Sequence, residues 1–275
     1  MKTVKIPVGQ ELADALGLGK RWVSYAQNGE DVRLRRIFGD RPHGCYVDVG
    51  ACDPVELSIT KHFYDLGWTG INFEPSPQSY TKLVEGRPRD INLNLGVGAR
   101  TGELTFFHGH DAASALSTMV AAEAEQHERS GFSFERLMVP VVTLAAALAE
   151  HLGAGRSIDF MSIDVEGYER EVIQGNDWNR FRPRVVIIEA VRPLSTQPSH
   201  DRWEQLVLDA GYLFVTFDGL NRYYVRREDE DLGPRLAISP NVFDRYIPWA
   251  YQKQIDALEE QIAAYRARHH ASPVT

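Results

Sequence analysis

One stretch of sequence decides the fold: Gly44-Cys45-Tyr46-Val47-Asp48-Val49-Gly50-Ala51-Cys52-Asp53-Pro54. In it, a short run of β-forming residues ends at an acid and a glycine, and turn-forming residues follow. This pattern predicts a buried parallel strand that leads through a tight loop into a helix. In an open α/β sheet, ligands bind beyond the carboxyl ends of the strands. We therefore expect a cofactor to contact the residues at this strand end, Asp48, Gly50, Ala51 and Asp53.

A second acid follows the next predicted strand. Residues Trp68-Thr69-Gly70-Ile71-Asn72-Phe73-Glu74-Pro75 form a strand pattern that ends at Glu74, about two dozen residues after Gly50. At this spacing a carboxylate reaches the ribose hydroxyls of an adenosine-containing cofactor. A dinucleotide fingerprint, however, needs three glycines, and residues 50–55 contain only the first. Because a third glycine and a cradle for a pyrophosphate are both missing, S-adenosylmethionine fits this site better than NAD.

The composition argues against several classes of protein. The chain has 275 residues and a net charge of -8, with no dense stripe of lysine and arginine, so we expect no nucleic-acid partner. The two cysteines, Cys45 and Cys52, lack the spacing of a zinc site or a disulfide scaffold. No apolar run approaches the roughly 18 to 20 residues of a membrane span, and residues 1–10 lack the apolar core of a signal peptide. We expect one large α/β domain with appendages, located in the cytoplasm.

Between these strands and the second half of the chain, the pattern is less regular. Residues Ile91-Asn92-Leu93-Asn94-Leu95 alternate, which predicts a third strand that ends at Gly96, next to the adenine. Residues 103–107 predict a further strand that extends the same sheet. Residues 108–137 lose the pattern, and we expect a structure-poor loop that covers the acceptor. Near the N-terminus, residues 11–18 predict a short helix.

Two further predicted strands also end in acids. The stretch from Ile158 ends at Asp164, and Val185-Val186-Ile187-Ile188-Glu189 ends at Glu189. Paired carboxylates at adjacent strand ends provide a general base or an oxygen-ligand site for a divalent metal such as Mg²⁺. We therefore assign Asp164 to catalysis, to the cofactor site and to metal binding, and Glu189 to catalysis and metal binding. For Glu166, stabilisation of the next helix is an equally good explanation.

His200, in the loop after the strand that ends at Glu189, is a third candidate base, although an isolated loop histidine is more often only exposed to solvent. Two strands around the Asp218-Gly219 turn then close the α/β chain. Antiparallel strands at this place distinguish class I methyltransferases from dinucleotide folds. On the hairpin, we assign the acceptor to Asn221, Arg222 and Tyr223.

Five motifs occur in a fixed order: Ser24-Tyr25-Ala26-Gln27-Asn28-Gly29-Glu30-Asp31, Tyr46-Val47-Asp48-Val49-Gly50-Ala51, Phe73-Glu74-Pro75, Ile163-Asp164-Val165-Glu166-Gly167-Tyr168-Glu169 and Asp218-Gly219-Leu220-Asn221-Arg222-Tyr223-Tyr224-Val225. Together they closely resemble the FkbM-type S-adenosylmethionine-dependent methyltransferases of bacteria. The resemblance implies a class I (Rossmann-like) α/β fold, with a seven-stranded, mostly parallel sheet and an antiparallel C-terminal hairpin. It also implies O-methylation, commonly of a sugar hydroxyl on a glycan or glycosylated metabolite. The family often has Asn where this chain has Cys52. We also assign Pro75, which follows Glu74, to the cofactor site.

The first motif has two interpretations. It is either a capped helix start or a lid over the cofactor, with Tyr25 and Gln27 beside the ligand. Two functions other than methyl transfer also remain open. One is a non-catalytic cofactor-binding or scaffold module of a glycan-assembly complex, and the other is an NAD-dependent sugar oxidoreductase.

The domain organisation follows from these motifs. We expect an N-terminal extension (1–22), a methyltransferase domain (23–230), and a linker with an amphipathic C-terminal helix (231–275). Apolar residues recur at three- and four-residue steps in the last segment, which is the spacing of a coiled-coil seam: Tyr251, Ile255, Leu258, Ile262 and Tyr265. This helix can pair in a homodimer or a larger assembly, or pack back on the domain.

Overall fold

The computed structural model describes residues 21–270. The helix predicted for residues 11–18 lies outside the described residues. The strands are β1 (Trp22–Ser24), β2 (Cys45–Val49), β3 (Thr69–Phe73), β4 (Ile91–Leu93), β5 (Gly96–Val97), β6 (Gly102–Gly109), β7 (Phe134–Val142), β8 (Phe160–Ile163), β9 (Val185–Glu189), β10 (Tyr212–Phe217), β11 (Asn221–Arg226) and β12 (Tyr246–Pro248). The α-helices are α1 (Glu30–Phe38), α2 (Lys61–Asp65), α3 (Pro77–Gly86), α4 (Ala121–Arg129), α5 (Leu144–His151), α6 (Glu169–Gln174), α7 (Glu204–Asp209), α8 (Gly233–Ala237) and α9 (Trp249–His270).

The central sheet has seven strands in the order β4-β3-β2-β8-β9-β11-β10. Its strands are parallel except β11, which runs antiparallel to both β9 and β10. This confirms the predicted class I arrangement with its antiparallel C-terminal hairpin. The chain leaves β2 toward β3 on one side and returns to β8 on the other, so the strand order reverses at β2. A crevice forms at such a reversal, beyond the carboxyl ends of the strands.

Two hydrophobic cores cover the two faces of the central sheet. One face packs against α5, α6 and α7, through residues such as Leu148, Val172 and Val207. The other face packs against α1 and α2, through Leu34 and Phe63. Because successive side chains of a strand point to opposite faces, the alternation in β2 and β9 sends apolar residues to both cores. That explains why, apart from the acids Asp48 and Glu189 near their carboxyl ends, these strands are apolar on both faces.

Three predictions for the middle of the chain were wrong. The third strand ends at Leu93, and Gly96 lies instead in a second sheet with the order β5-β7-β6. Strand β6 therefore does not extend the central sheet. It pairs with β7 along its whole length, and a pairing across 24 intervening residues leaves no periodic signal near β6 itself.

The segment from residue 108 to 137 is also not structure-poor. It contains a 3₁₀-helix from Asp111 to Leu116, the helix α4 and the first part of β7. The alanines and glutamates of α4 are good helix formers. They lack an apolar stripe long enough to be recognised as a helix in the sequence.

The C-terminal segment returns to the start of the described chain. Strand β12 pairs in parallel with β1, and the guanidinium of Arg33 in α1 donates to the carbonyl oxygens of Leu236 and Ala237. Helix α9 follows β12, and its residues 254–268 are exposed. Within the described residues, none of the helices is both long and apolar enough to cross a bilayer.

Candidate active site

Acidic side chains lie at the carboxyl ends of four neighbouring strands. Asp48 belongs to β2 and Glu189 to β9, while Glu74 and Asp164 directly follow β3 and β8. Parallel strands bring these ends to one edge of the sheet. The edge coincides with the crevice at the reversal of strand order.

Gly50 allows two of these strand ends to approach each other closely. Its φ is +89°, and a Cβ atom built on it would lie 1.8 Å from the carbonyl oxygen of Asp164. The amide N–H groups of Gly50 and Ala51 donate to the carbonyl oxygen of Phe73, at 3.0 and 3.2 Å. The loop after β2 is therefore held by the ends of β3 and β8, which fixes the floor of the crevice.

Glu74 is oriented by the two loops that surround it. One carboxylate oxygen accepts the N–H of Cys52 at 2.8 Å, and the other accepts the N–H of Ser76 at 2.7 Å. Burial raises the pKa of Glu74 to about 7, although both hydrogen bonds act in the opposite direction. A carboxylate has about four acceptor positions, so Glu74 keeps room for hydroxyl donors from a ligand.

Asp48 belongs to a buried polar network. Its carboxylate accepts the hydroxyl of Thr60 at 3.0 Å, and Arg87 is buried nearby, where it donates to Ser58 and to the carbonyl oxygen of Pro54. Burial raises the pKa of Asp48 to about 6, and the hydrogen bond from Thr60 and the positive charge of Arg87 oppose this shift. Asp48 is thus an acid with a counter-charge close by.

Three carboxyl groups converge at the ends of β8 and β9. Oxygen atoms of Asp164, Glu166 and Glu189 all lie within 4.8 Å of one another. Burial raises the pKa of Asp164 to about 6. The pKa values of Glu166 and Glu189 are raised well above the usual range, first by burial and then by the negative charge of Asp164.

The backbone directs Glu166 into this group. Its φ is +53°, a left-handed conformation that residues other than glycine rarely adopt. The carbonyl oxygen of Glu166 accepts the hydroxyl of Thr118 at 2.7 Å. The carboxylate of Glu169 also accepts the N–H groups of Val165 and Gly167, at 3.3 and 3.0 Å. These bonds maintain a turn whose local backbone conformation is unfavourable.

The sequence matches the model of the Methyltransferase FkbM domain over residues 48–214, which is more than half of the chain. The chain belongs to the FkbM methyltransferase family. No match to a curated protein was found.

Several solved structures resemble the fold of this FkbM methyltransferase. The fibrillarin pre-rRNA processing protein of Methanococcus jannaschii has 11% identity and a TM-score of 0.39, and the match covers 72% of this chain and 76% of that one. A TehB-like SAM-dependent methyltransferase of Corynebacterium glutamicum has 8% identity and a TM-score of 0.39, with 79% and 94% covered. An O-methyltransferase of Bacillus cereus in complex with SAH has 12% identity and a TM-score of 0.33, with 78% and 88% covered. Because these scores are low, the fold assignment depends on the strand order and not on these similarities.

In the FkbM methyltransferase, residues of the first motif form hydrogen bonds within the N-terminal segment and with a residue near the carboxyl end of β9. Asp31 accepts the hydroxyl of Ser24 at 2.6 Å and the N–H of Tyr25 at 2.8 Å. Glu30 accepts the side-chain amide of Asn221 at 2.7 Å, and Asn221 pairs in register with Glu189. Both acids of the motif are therefore buried structural partners, and Glu30 is connected to the end of β9 through Asn221.

The other residues predicted for the cofactor have different surroundings. The ring of Tyr25 packs against Trp249, and the ammonium of Lys61 lies 5.4 Å from its centroid. Gln27 is exposed and Pro75 half-buried. Asp53 accepts the N–H groups of Val55 and Glu56, at 2.9 and 3.0 Å. The structure brings Asp48, Gly50, Ala51, Glu74 and Asp164 together at one edge, but it places Gly96 in the second sheet, where a Cβ would meet Met119 at 2.0 Å.

The three residues predicted for the acceptor already have protein partners. Asn221 donates to Glu30, and the hydroxyl of Tyr223 donates to Asp218 at 2.5 Å. Arg222 belongs to the opposite face of β11, because side chains alternate along a strand, and it donates to Glu204 at 2.5 Å. The structure therefore does not bring Arg222 together with the other two.

His200 starts a 3₁₀-helix beside this group. Its Nε2 lies 3.8 Å from a carboxylate oxygen of Glu204. The loop before it folds back on β9, since the N–H of Ser199 donates to the carbonyl oxygen of Ala190 at 2.8 Å. His200 therefore directly follows a residue that is hydrogen-bonded to Ala190, the residue after Glu189, and it has the acid Glu204 as its neighbour.

Sequence reasoning gave too little weight to Glu166 and no role to Glu30. Both residues occur in the motifs quoted above, but each precedes or begins a helix, where an acid is expected for electrostatic reasons alone. A signal for Glu166 was present in the sequence, because Gly167 directly follows it and marks a sharp turn rather than a regular helix start.

Proposed function

We propose that this FkbM methyltransferase transfers the methyl group of S-adenosylmethionine to a hydroxyl oxygen of a sugar, on a bacterial glycan or a glycosylated metabolite. Family membership supports methyl transfer. The observation that carries the proposal is the set of acids at the crevice. Glu74 follows the strand next to β2, the position where ribose hydroxyls are bound in this class of sheet, and backbone N–H groups orient both of its oxygens.

The cofactor lies across the ends of β2 and β3 in this proposal. Glu74 accepts the ribose hydroxyls, while Asp48 accepts from a cationic or hydroxylic group of the ligand. Ala51 is buried and small, so the loop after β2 lets a ligand approach the backbone. A binding site without a cradle for phosphates favours a cofactor that has none.

The reaction is an in-line displacement at the methyl carbon. The acceptor oxygen forms a bond to carbon, the carbon–sulfur bond breaks, and its electron pair returns to sulfur, so the sulfonium becomes the neutral thioether of S-adenosylhomocysteine. Because the leaving group is already activated, alignment of the reactants supplies most of the catalysis, worth roughly 7–11 kcal/mol in favourable cases.

The acceptor hydroxyl must also lose its proton. Asp164 and Glu189 lie at the strand ends beside the crevice, and His200 follows on the loop after β9. We infer that one of these three residues receives the proton of the acceptor hydroxyl. Asn221 and Tyr223 are buried and support this edge through their bonds to Glu30 and Asp218, while Arg222 is held by Glu204 on the opposite face of β11.

Methyl-labelled S-adenosylmethionine provides the test. The protein is incubated with it and with free sugars, lipid-linked glycans and small glycosylated metabolites extracted from the source bacterium. We expect label in a carbohydrate product that survives mild alkali and yields a methylated monosaccharide after acid hydrolysis, because a methyl ether resists alkali. Label that alkali releases would indicate a methyl ester and contradict the proposal, as would label in nucleic acid or protein alone.

A further inference from the structure

The three converging carboxyl groups lack a compensating positive charge. Within the described part of the chain, no lysine, arginine or histidine forms an ion pair with Asp164, Glu166 or Glu189. The nearby charges are those of Glu169 and Glu123, which are also negative. Three ionised carboxylates within 4.8 Å would repel strongly in a buried site, so without a cation the group favours protonated members. Asp48, at the same edge, has Arg87 beside it.

Two of the three residues in this group have a buried side-chain oxygen without a hydrogen-bond partner. Oε2 of Glu189 is buried without a hydrogen-bond partner, and only 5% of this residue is exposed. Oε2 of Glu166 is also buried without a partner. Buried carboxylate oxygens without donors are costly, and none of the described residues donates a hydrogen bond to either of these two.

We propose that Asp164, Glu166 and Glu189 bind one divalent cation through oxygen ligands, with Mg²⁺, Mn²⁺ or Ca²⁺ as the chemical class. Hard divalent cations prefer carboxylate oxygens, at about 2.0–2.1 Å for Mg²⁺ and about 2.3–2.6 Å for Ca²⁺. Oxygens on opposite sides of such an ion lie about 4–5 Å apart. The separations of up to 4.8 Å therefore fit an ion with little movement of the side chains.

The backbone supports Glu166 as the third ligand. Its left-handed φ of +53° is held by the bond from Thr118 and by the turn around Glu169. A residue in such a conformation is retained where the surroundings impose it, and such residues cluster at functional sites. The inserted segment between β6 and β7 supplies Thr118, so this segment positions a ligand of the ion.

The binding of the ion is independent of the proposed function. Its role in the reaction, by contrast, rests on that function. Three carboxylates leave some of the coordination positions of the ion open. An acceptor hydroxyl bound there would have a lowered pKa, because the cation would stabilise the alkoxide, and its proton would pass to His200 or to water, since Asp164 and Glu189 would be ligands. Adjacent hydroxyls of a sugar would fill two such positions and orient one of them toward the methyl group.

Electron paramagnetic resonance of Mn²⁺ tests the site without activity. The complete protein is titrated with Mn²⁺ in the absence of cofactor and acceptor, and free Mn²⁺ is measured. We expect one bound ion per chain, and we expect Mg²⁺ to displace it. Glu166→Gln and Glu189→Gln should each weaken Mn²⁺ binding at least tenfold. Glu171→Gln, which removes an acid from the adjacent α6 outside the group, should leave binding unchanged.

The outcomes separate this inference from the proposed function. No Mn²⁺ binding by a wild-type protein that binds S-adenosylmethionine would overturn the cation site and leave methyl transfer intact. Equal loss of Mn²⁺ binding in the Glu171→Gln variant would also overturn it, since binding would then follow overall charge. Circular dichroism and thermal unfolding of each variant exclude misfolding as the cause. A wild-type protein that binds Mn²⁺ but does not bind S-adenosylmethionine would overturn the proposed function and leave the cation site intact.

Discussion

The carbonyl oxygen of Asp164 occupies the position where a side chain on Gly50 would begin, 1.8 Å from an ideal Cβ atom. The ends of β2 and β8 can approach this closely only because residue 50 has no side chain. The close approach joins the loop after β2 to the end of β8, where Asp164 lies. A side chain on residue 50 would therefore displace both. Glycine can be required for its conformational freedom or for its lack of a side chain. Substitutions at three glycines can measure these two effects separately.

We expect Gly50→Ala to lower the free energy of unfolding by about 3 kcal/mol or more, because it adds a backbone clash to an unfavourable φ. Gly219→Ala tests φ alone, since Gly219 has a φ of +106° and open space around it; its cost should be about 1–2 kcal/mol. Gly102→Ala, with open space and no positive φ, should change little. Urea unfolding of the three variants gives the order, and a Gly50→Ala variant as stable as Gly219→Ala would contradict the close approach.

Cys52 provides a second test of backbone conformation. Its φ is +50°, and Asn tolerates this region better than Cys does. We expect Cys52→Asn to raise the free energy of unfolding by up to about 1 kcal/mol and to strengthen S-adenosylmethionine binding through the added amide. Leu194→Asn, at an exposed residue with the same φ, should raise stability without changing cofactor affinity. Unchanged cofactor affinity in Cys52→Asn would place residue 52 outside the site, and weaker binding would contradict the predicted bond from the amide.

The acid group can be tested for its part in turnover. Asp164→Asn retains the size of the side chain and removes its charge, so we expect it to spare S-adenosylmethionine binding and to reduce methyl transfer at least a hundredfold, in the range of a lost general base. Asp159→Asn is the matched control, because Asp159 is a buried acid at the opposite end of β8. Full activity of Asp164→Asn would remove Asp164 from the chemistry.

Stability should fall as pH rises above neutrality. Burial raises the pKa of Glu30 from 4.5 to about 8 and that of Glu74 from 4.5 to about 7. Between these pKa values the folded state keeps protons that the unfolded chain has lost, so the free energy of unfolding decreases with pH. His62, whose pKa burial lowers from 6.5 to about 4, acts in the opposite direction only below pH 6.5.

We expect the free energy of unfolding to fall by on the order of 1–2 kcal/mol between pH 6.5 and about pH 8.5. Urea titrations at several pH values measure it, and Glu30→Gln should make the dependence shallower. A stability that stays constant or increases over this range would show that Glu30 and Glu74 are ionised in the folded protein.

Helix α9 is the segment through which we expect two copies of the chain to pair. Ile255, Leu258 and Ile262 are exposed on it at coiled-coil spacing, so we expect pairing with a second copy. Sedimentation equilibrium should show a dimer that the double substitution of Ile255→Ser and Ile262→Ser dissociates. As a control, Ala257→Ser and Ala264→Ser are also seven residues apart but lie on another face of the helix. This double substitution should leave the dimer unchanged. A monomeric wild-type protein would contradict the pairing.

The sequence predicted the parts of the fold that depend on local pattern. β9 begins and ends at the predicted residues, and α5 begins at a threonine that is a typical helix cap, since Thr143 accepts the N–H of Ala146. Apolar runs and caps are local signals. The second sheet was missed because β6 and β7 are defined by each other and not by their own periodicity.

For the site, the sequence predicted the four acids at the strand ends but not what surrounds them. Arg87 reaches Asp48 from the end of α3, and Thr118 reaches Glu166 from the inserted segment. Such contacts join residues that are far apart in the chain, and no local pattern announces them. The role of Glu166 in the group depends on a positive φ, which the following Gly167 only hints at.

Calorimetric titration with S-adenosylmethionine tests the central claim most directly, that acids at the ends of β2 and β3 hold this cofactor. We expect the wild-type protein to bind one equivalent, and Asp48→Ala and Glu74→Ala each to weaken binding at least tenfold, or about 1.4 kcal/mol. Asp159→Ala, which removes a comparable buried acid from the opposite edge of the sheet, should bind as the wild type does. Unchanged affinity in both the Asp48→Ala and Glu74→Ala variants would contradict the account.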